Sequence, residues 1–274
     1  MFSSTRRNVL KLAGLSAAAL SGGADFLHAA QVPGQAQPES AGPEEKAASV
    51  MAIAAHAGDT FFAMGAPVAL AAHSGGKGSL LSLTLGEKGS PTIAPEQYGE
   101  MQRKAAQDAA ALMGAEALFL PYLDGELPVN DEIKLAVCDM IRQYRPEIVV
   151  THWKGSWHKD HRACYDIVQD AIFYAGLSGI VRARPAHNVK TLYFADNWED
   201  ASGFVADTYL DITPVFERWM QACSLFPMWR GETGFRYNDY YSSRAVACGC
   251  LSHCGKAVCF MTPADERVRN LRSV

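Results

Sequence analysis

The stretch "MAIAAHAGDTFFAMG", residues 51–65, decides how the chain folds. It opens on a short, unbroken apolar run, the pattern of a strand buried on both faces. His56 and Asp59 follow at the carboxyl end of that run, with Ala57 and Gly58 between them. Open α/β sheets bind their ligands outside the carboxyl ends of strands, so two metal-ligating residue types meet where a site belongs. Working outward, the same alternation recurs. "SVMAIAAH" predicts a strand, and "TFFAMGAPVALAAHSG" a helix closed by Gly75 and Gly76. "GSLLSLTLGEKG" reads as a second strand running into a glycine-bounded loop, and "PEQYGEMQRKAAQDAAALMGA" as a long helix that Gly114 stops. "EALFLPYLDGEL" supplies a short strand and a loop at Asp124 and Gly125, "DEIKLAVCDMIRQY" a helix ended by Pro146, and "EIVVTH" another apolar strand. A polar loop then leads into a helix that begins near His161. "NVKTLYFADNW" and "DTYLDIT" read as two more strands, and "PVFERWMQACSLF" as a last helix that Pro214 can open. Short strands alternating with longer helices predict an α/β fold of βαβ units around a mostly parallel sheet.

At 274 residues the chain can bury one substantial core. Hydrophobic residues at 49% and charged residues at 20% describe a globular chain, neither disordered nor membrane-spanning. The net charge of −4 gives no electrostatic reason to expect nucleic acid. "SSTRRNVLKLAGLSAAALSGGADFLHAA" combines paired arginines, a weakly apolar run and a small-residue end at Ala29 and Ala30. That pattern predicts a twin-arginine export signal over residues 1–30, with the export machinery as a partner and a periplasmic or extracellular destination. The apolar run is too short, and too rich in Ala, Ser and Gly, for a stable membrane span. Residues 31–48, rich in Pro, Gly, Gln and Glu, read as a flexible leader, which leaves 49–274 as a single domain.

A second polar cluster, "WHKDH" at residues 157–161, gathers His158, Asp160 and His161 at one helix entrance. Together with His56 and Asp59 it can supply two imidazoles and a carboxylate to a single ion. Three protein ligands and an open position describe a catalytic zinc site, whereas structural sites are closed by four. Each histidine taken singly reads more simply as part of a solvated loop or a satisfied strand end. Two strand ends converging in one sheet favour the metal site.

At these residues the chain resembles the PIG-L or LmbE-like zinc N-deacetylases, which act on N-acetylglucosamine-containing compounds. The first motif of that family, His-Pro-Asp-Asp-Glu, appears here as "HAGDT", and the second, His-x-Asp-His, as "HKDH". "TLGEKG", "QRKAAQDAAALMG", "LPYLDGEL", "IRQYRPEIVVTH" and "YLDIT" are similar in order, so the resemblance spans roughly residues 49–245. It implies a Rossmann-like three-layer fold, Zn2+ held by His56, Asp59 and His161, and His158 as proton donor or oxyanion stabiliser with Asp160 orienting it. It further implies deacetylation of an N-acetylated amino sugar or glycoconjugate.

The chain departs from the family at the general base, because the first carboxylate of the motif is Gly58, and Thr60 replaces the closing acid. Glu87, Asp124 and His152, all in predicted loops after strands, are candidates for the missing role. Each also reads as turn or loop chemistry. Asp124 and Arg103 fall where the family faces its substrate, and Trp153 and Trp157 flank the metal loop with flat apolar surfaces. Core packing is the stronger expectation for Trp198 and Trp229. The missing base keeps open a second reading, a non-catalytic carbohydrate- or metal-binding protein derived from such an enzyme. Cys248, Cys250, Cys254 and Cys259 crowd into "CGCLSHCGKAVC", with Cys138, Cys164 and Cys223 scattered through helices. Their spacing matches no paired C-x2-C zinc pattern, so disulfides and buried thiols both stand as readings.

Overall fold

The buried run forms strand β1 (Val50–Ala54), whose alternate residues serve two different cores. Val50, Ala52 and Ala54 face one side, where Phe61, Phe62, Trp219, Trp229 and Tyr241 pack. Met51 and Ile53 face the other, against Ile133, Val137, Ile141, Ile167 and Val168. A strand buried on both faces must sit inside a sheet with helices above and below it. The computed structural model, which describes residues 47–264, has that three-layer arrangement. The expected export signal and nearly all of the leader lie outside the described residues.

Chain order continues through α1 (Ala57–Phe62), α2 (Gly65–His73), β2 (Gly78–Ser82), α3 (Pro95–Met113), β3 (Glu116–Phe119) and α4 (Asp131–Tyr144). It proceeds through β4 (Ile148–Thr151), α5 (Lys159–Gly176), β5 (Thr191–Ala195), β6 (Thr208–Asp211), α6 (Phe216–Cys223), α7 (Tyr237–Ser252) and β7 (Ala257–Met261). The seven strands lie in the order β3-β2-β1-β4-β5-β7-β6. The first five pair in parallel, and β7 runs antiparallel between β5 and β6. From β1 the chain moves outward to β2 and β3, then returns to place β4 on the other side of β1. This reversal makes the carboxyl ends of β1 and β4 the topological switch point, where loops diverge and leave a crevice.

Three elements differ from the sequence expectation. The single helix expected across 60–75 is two helices, broken at Ala63 and Met64. Pro67 is the local cause, since it has no N–H for the Ala63 carbonyl four residues back and its ring crowds that carbonyl; the Trp219 indole N–H then donates to the Phe61 carbonyl at 2.8 Å and caps the broken end. Helix α7 and strand β7 are the other two. Both lie in the cysteine-rich stretch, whose cysteines are all free thiols, with Cys248 and Cys259 buried in a small cluster beside Ala257. Among the described residues no helix is long and apolar enough to cross a membrane.

Candidate metal centre and its cleft

His56 leaves β1 as the N-cap residue of α1, and Asp59 sits in the first turn of that helix. His161, in the first turn of α5, reaches the same point from the end of β4. The three side chains meet: His56 Nδ1 is 2.9 Å from Asp59 Oδ2, and His161 Nε2 is 3.2 Å from that oxygen and 3.3 Å from His56 Nδ1. Ligand atoms around a tetrahedral zinc with bonds of about 2.0–2.1 Å stand about 3.3 Å apart. The triangle therefore has the size of one face of such a site.

The surrounding hydrogen bonds settle which nitrogens are free. His152 is fully buried; its Nε2 accepts the Ala55 N–H at 3.1 Å, so its Nδ1–H donates to Asp200 Oδ2 at 2.8 Å. The other Asp200 oxygen takes the His161 Nδ1–H, also at 2.8 Å, which leaves the His161 Nε2 lone pair facing the triangle. A buried carboxylate that fixes the tautomer of a ligating histidine is the usual support of a metal site. Asn197 Nδ2 donates to Asp59 Oδ1 at 2.9 Å and aims Oδ2 at the same point. On the far side of His56, Nε2 lies 3.2 Å from Asp124 Oδ1 and 3.5 Å from Asp160 Oδ2. Asp160 is held by the Gly125 N–H at 2.6 Å, and Asp124 by the Lys88 N–H at 3.1 Å. Asp160 thus supports His56 through its side chain, while its backbone N–H donates to His158 Nδ1 at 3.2 Å. That bond makes His158 the Nε2–H tautomer.

Electrostatics follow from this crowding. Burial opposes a charge on His161, but Asp59 and Asp200 outweigh it and raise its pKa to about 9. Burial, then the neighbouring His56 and His161, push His158 down to about 4, so it is a neutral donor near pH 7. Asp59 is held well below the usual carboxylate range by His161 and His56, against the effect of its burial. Without a cation, protons hold this cluster together; a divalent ion can replace them.

The site opens into a cleft of about 370 Å³ walled by Trp157, Trp198, Phe235 and Tyr237. Trp198 stacks on Phe235 with ring centroids 4.1 Å apart, so it is a wall of the cleft, where core packing was expected. Trp229 is in the core. Gly58 lines the cleft floor, and a Cβ there would stand 3.1 Å from Met228 Sδ, so a thioether covers the position where the family carries a carboxylate. A larger groove of about 780 Å³ lies elsewhere; it contains Trp153, whose indole N–H donates to the Ser202 carbonyl, and none of the triangle residues. Trp153 therefore does not line the metal cleft. Neither does Arg103, which pairs with Glu100 and lies over the Phe119 ring. Glu87 accepts the Asp124 N–H at 2.8 Å and braces a loop, both ring nitrogens of His152 are engaged, and neither residue lines the cleft.

Residues 51–172 match the family described as GlcNAc-PI de-N-acetylase, PIG-L. That stretch is similar to the PIG-L family. The 4-oxalmesaconate hydratase of Pseudomonas putida is 24% identical over 179 residues, which are 62% of this chain and 69% of that one. Among solved structures, the 4-carboxy-2-hydroxymuconate hydratase of Pseudomonas putida KT2440 superposes with a TM-score of 0.72 at 20% identity, covering 82% of this chain and 99% of that one. The N,N'-diacetylchitobiose deacetylase of Pyrococcus horikoshii superposes at 0.68 with 18% identity, covering 82% and 91%. This fold thus serves both a deacetylase and a hydratase. Asn197, Glu199 and Asp200 lie beyond the stretch that matches the PIG-L family. Their signal in the sequence is the polar run "ADNWED" after β5, which obeys the same strand-end rule as His56.

Proposed function

We propose that this protein is a zinc-dependent deacetylase acting on an N-acetylated amino sugar or sugar conjugate. The observation that carries the proposal is the triangle of His56 Nδ1, Asp59 Oδ2 and His161 Nε2, open on one side to an aromatic-walled cleft. Zinc held there supplies Lewis acidity, polarising an acetyl carbonyl and making water acidic enough to attack near neutral pH. His158 Nε2–H donates to the carbonyl oxygen as negative charge develops on it, the role of an oxyanion donor. Trp157, Trp198 and Phe235 offer flat faces to a sugar ring, and the Asp160 and Asp124 carboxylates orient His56 from behind.

Hydration of an unsaturated acid, the reaction named for the Pseudomonas relatives, is the competing reading. The cleft argues against a polyanionic substrate. Among the described residues Asp59, Asp124 and Glu199 line it, and no lysine or arginine does. A carboxylate-rich ligand would meet like charge without a bidentate partner.

The deciding experiment measures zinc per chain and acetate release from a panel of N-acetylated sugars, alongside hydration of unsaturated di- and tricarboxylates. About one zinc in the wild type, little in His161→Ala, and acetate release alone is the expected result. Hydration without acetate release overturns the deacetylase reading, and full zinc occupancy with neither activity leaves a non-catalytic binding protein. We also propose periplasmic or extracellular residence, carried by the Arg6 and Arg7 pair; retention in the cytoplasm of Arg6→Lys/Arg7→Lys, against export of the wild type, tests it.

A further inference from the structure

Position 58 has no carboxylate, and Met228 covers the space where one would project, so the proton that water must lose on attacking an amide needs another acceptor. One carboxylate among the cleft-lining residues is neither a corner of the triangle nor a support behind His56. Glu199, in the short 3-10 turn Trp198–Asp200 after β5, places Oε2 3.3 Å from His161 Nε2, the same nitrogen that faces Asp59. Its side chain is only 13% exposed and lies on the cleft side. The turn that carries it is firmly held: Asn197 Oδ1 caps the Glu199 N–H at 3.0 Å, the Glu199 carbonyl accepts the Trp157 N–H at 3.2 Å, and neighbouring Asp200 is locked between His152 and His161. Asp59 and Glu199 therefore flank one nitrogen, the first pinned by Asn197 and the second facing the cleft.

We infer that Glu199 is the catalytic residue that takes the proton from the attacking water, supplying from the β5 loop the carboxylate that the first motif lacks at Gly58. This inference rests on the deacetylase reading above. The water oxygen forms a bond to the acetyl carbon as its proton passes to Glu199 Oε2, while His158 Nε2–H holds the carbonyl oxygen. As the C–N bond breaks, the proton on Glu199 moves to the departing nitrogen. One amide and one water become a free amine and acetic acid, and the carboxylate is restored.

The test compares wild type, Glu199→Gln and Glu199→Ala for zinc per chain, thermal melting, and kcat and KM on an N-acetylated sugar that the wild type cleaves, with and without added formate. The expected result is unchanged zinc content and melting, a fall in kcat of about 10²- to 10⁴-fold with KM little altered, and formate restoring activity to the alanine variant alone. Formate rescue is a readout that a structural role would not produce. Wild-type turnover with Glu199→Gln equally active overturns the inference and leaves the deacetylase reading intact. Loss of zinc in Glu199→Gln overturns it in favour of a metal ligand. A zinc-loaded wild type that cleaves no amide removes the deacetylase reading, and the inference with it.

Discussion

Asp200 is the residue on which the site's tautomers depend. Its two oxygens hold His152 and His161, and an amide in its place can accept from only one of them. Asp200→Asn is expected to weaken zinc affinity about 10- to 100-fold while leaving one site per chain, a difference that chelator competition measures. Gly58 is the second decisive residue. Restoring the family's carboxylate with Gly58→Asp brings a Cβ to 3.1 Å from Met228 Sδ and 3.2 Å from the Phe62 ring. Overpacking of this kind costs about 1–3 kcal/mol. Gly58→Asp is expected to melt earlier than the wild type, and adding Met228→Ala to recover part of the loss; equal melting of the single variant and the wild type would show that Met228 does not fill that position.

At the scale of elements, the break between α1 and α2 keeps Asp59 in a single short turn directed at His161. Pro67 breaks the helix locally, and Trp219 holds the break from α6 by donating to the Phe61 carbonyl. Trp219→Phe keeps most of the apolar bulk but leaves that buried carbonyl only the weak Cys223 Sγ–H contact at 3.6 Å, at a cost of about 1–3 kcal/mol. Denaturant unfolding is expected to show the loss. Farther away, Asn130 caps α4 by accepting the Ile133 N–H at 3.2 Å. Asn130→Ala should cost about 1 kcal/mol and leave zinc affinity unchanged, which separates helix stability from the site.

The whole molecule carries the site's charges as a pH dependence of folding. His161 is raised from 6.5 to about 9, so its contribution to stability is fully present below pH 6.5 and is lost as pH rises through about 9. Its size is on the order of 3 kcal/mol. At lower pH two groups oppose each other: Glu199, raised to about 7 by burial and by Asp59, loses stability as pH rises, while His158, lowered to about 4, gains it. Above about pH 7 the raised histidines act together: His56, lifted by Asp124, Asp160 and Asp59 against its burial, loses stability as pH rises in the same direction as His161. Metal-free protein is expected to melt at falling temperature from about pH 7 to about 9, and His161→Gln to make that fall shallower; a flat wild-type curve would contradict the His161–Asp59 pairing.

The sequence by itself determined the α/β class and the mostly parallel sheet. Both follow from local rules: unbroken apolar runs must be buried on two faces, and helical periodicity between them supplies the covering layers. His56 and His161 were legible for a related reason, since each follows a strand end and strand ends gather at the switch point. Tertiary structure alone decided the rest. Pro67 marks the break in the first helix locally, but local pattern could not show that Trp219 caps it from far along the chain, or that Met228 covers Gly58. The cysteine-rich end left disulfides and buried thiols equally open, and its "AVCFM" is a strand whose place between β5 and β6 depends on an antiparallel return. Glu199 and Asp200 were silent for the same physical reason. Carboxylates in a short polar loop are ordinary until folding carries them, buried, to the one histidine whose nitrogens they flank.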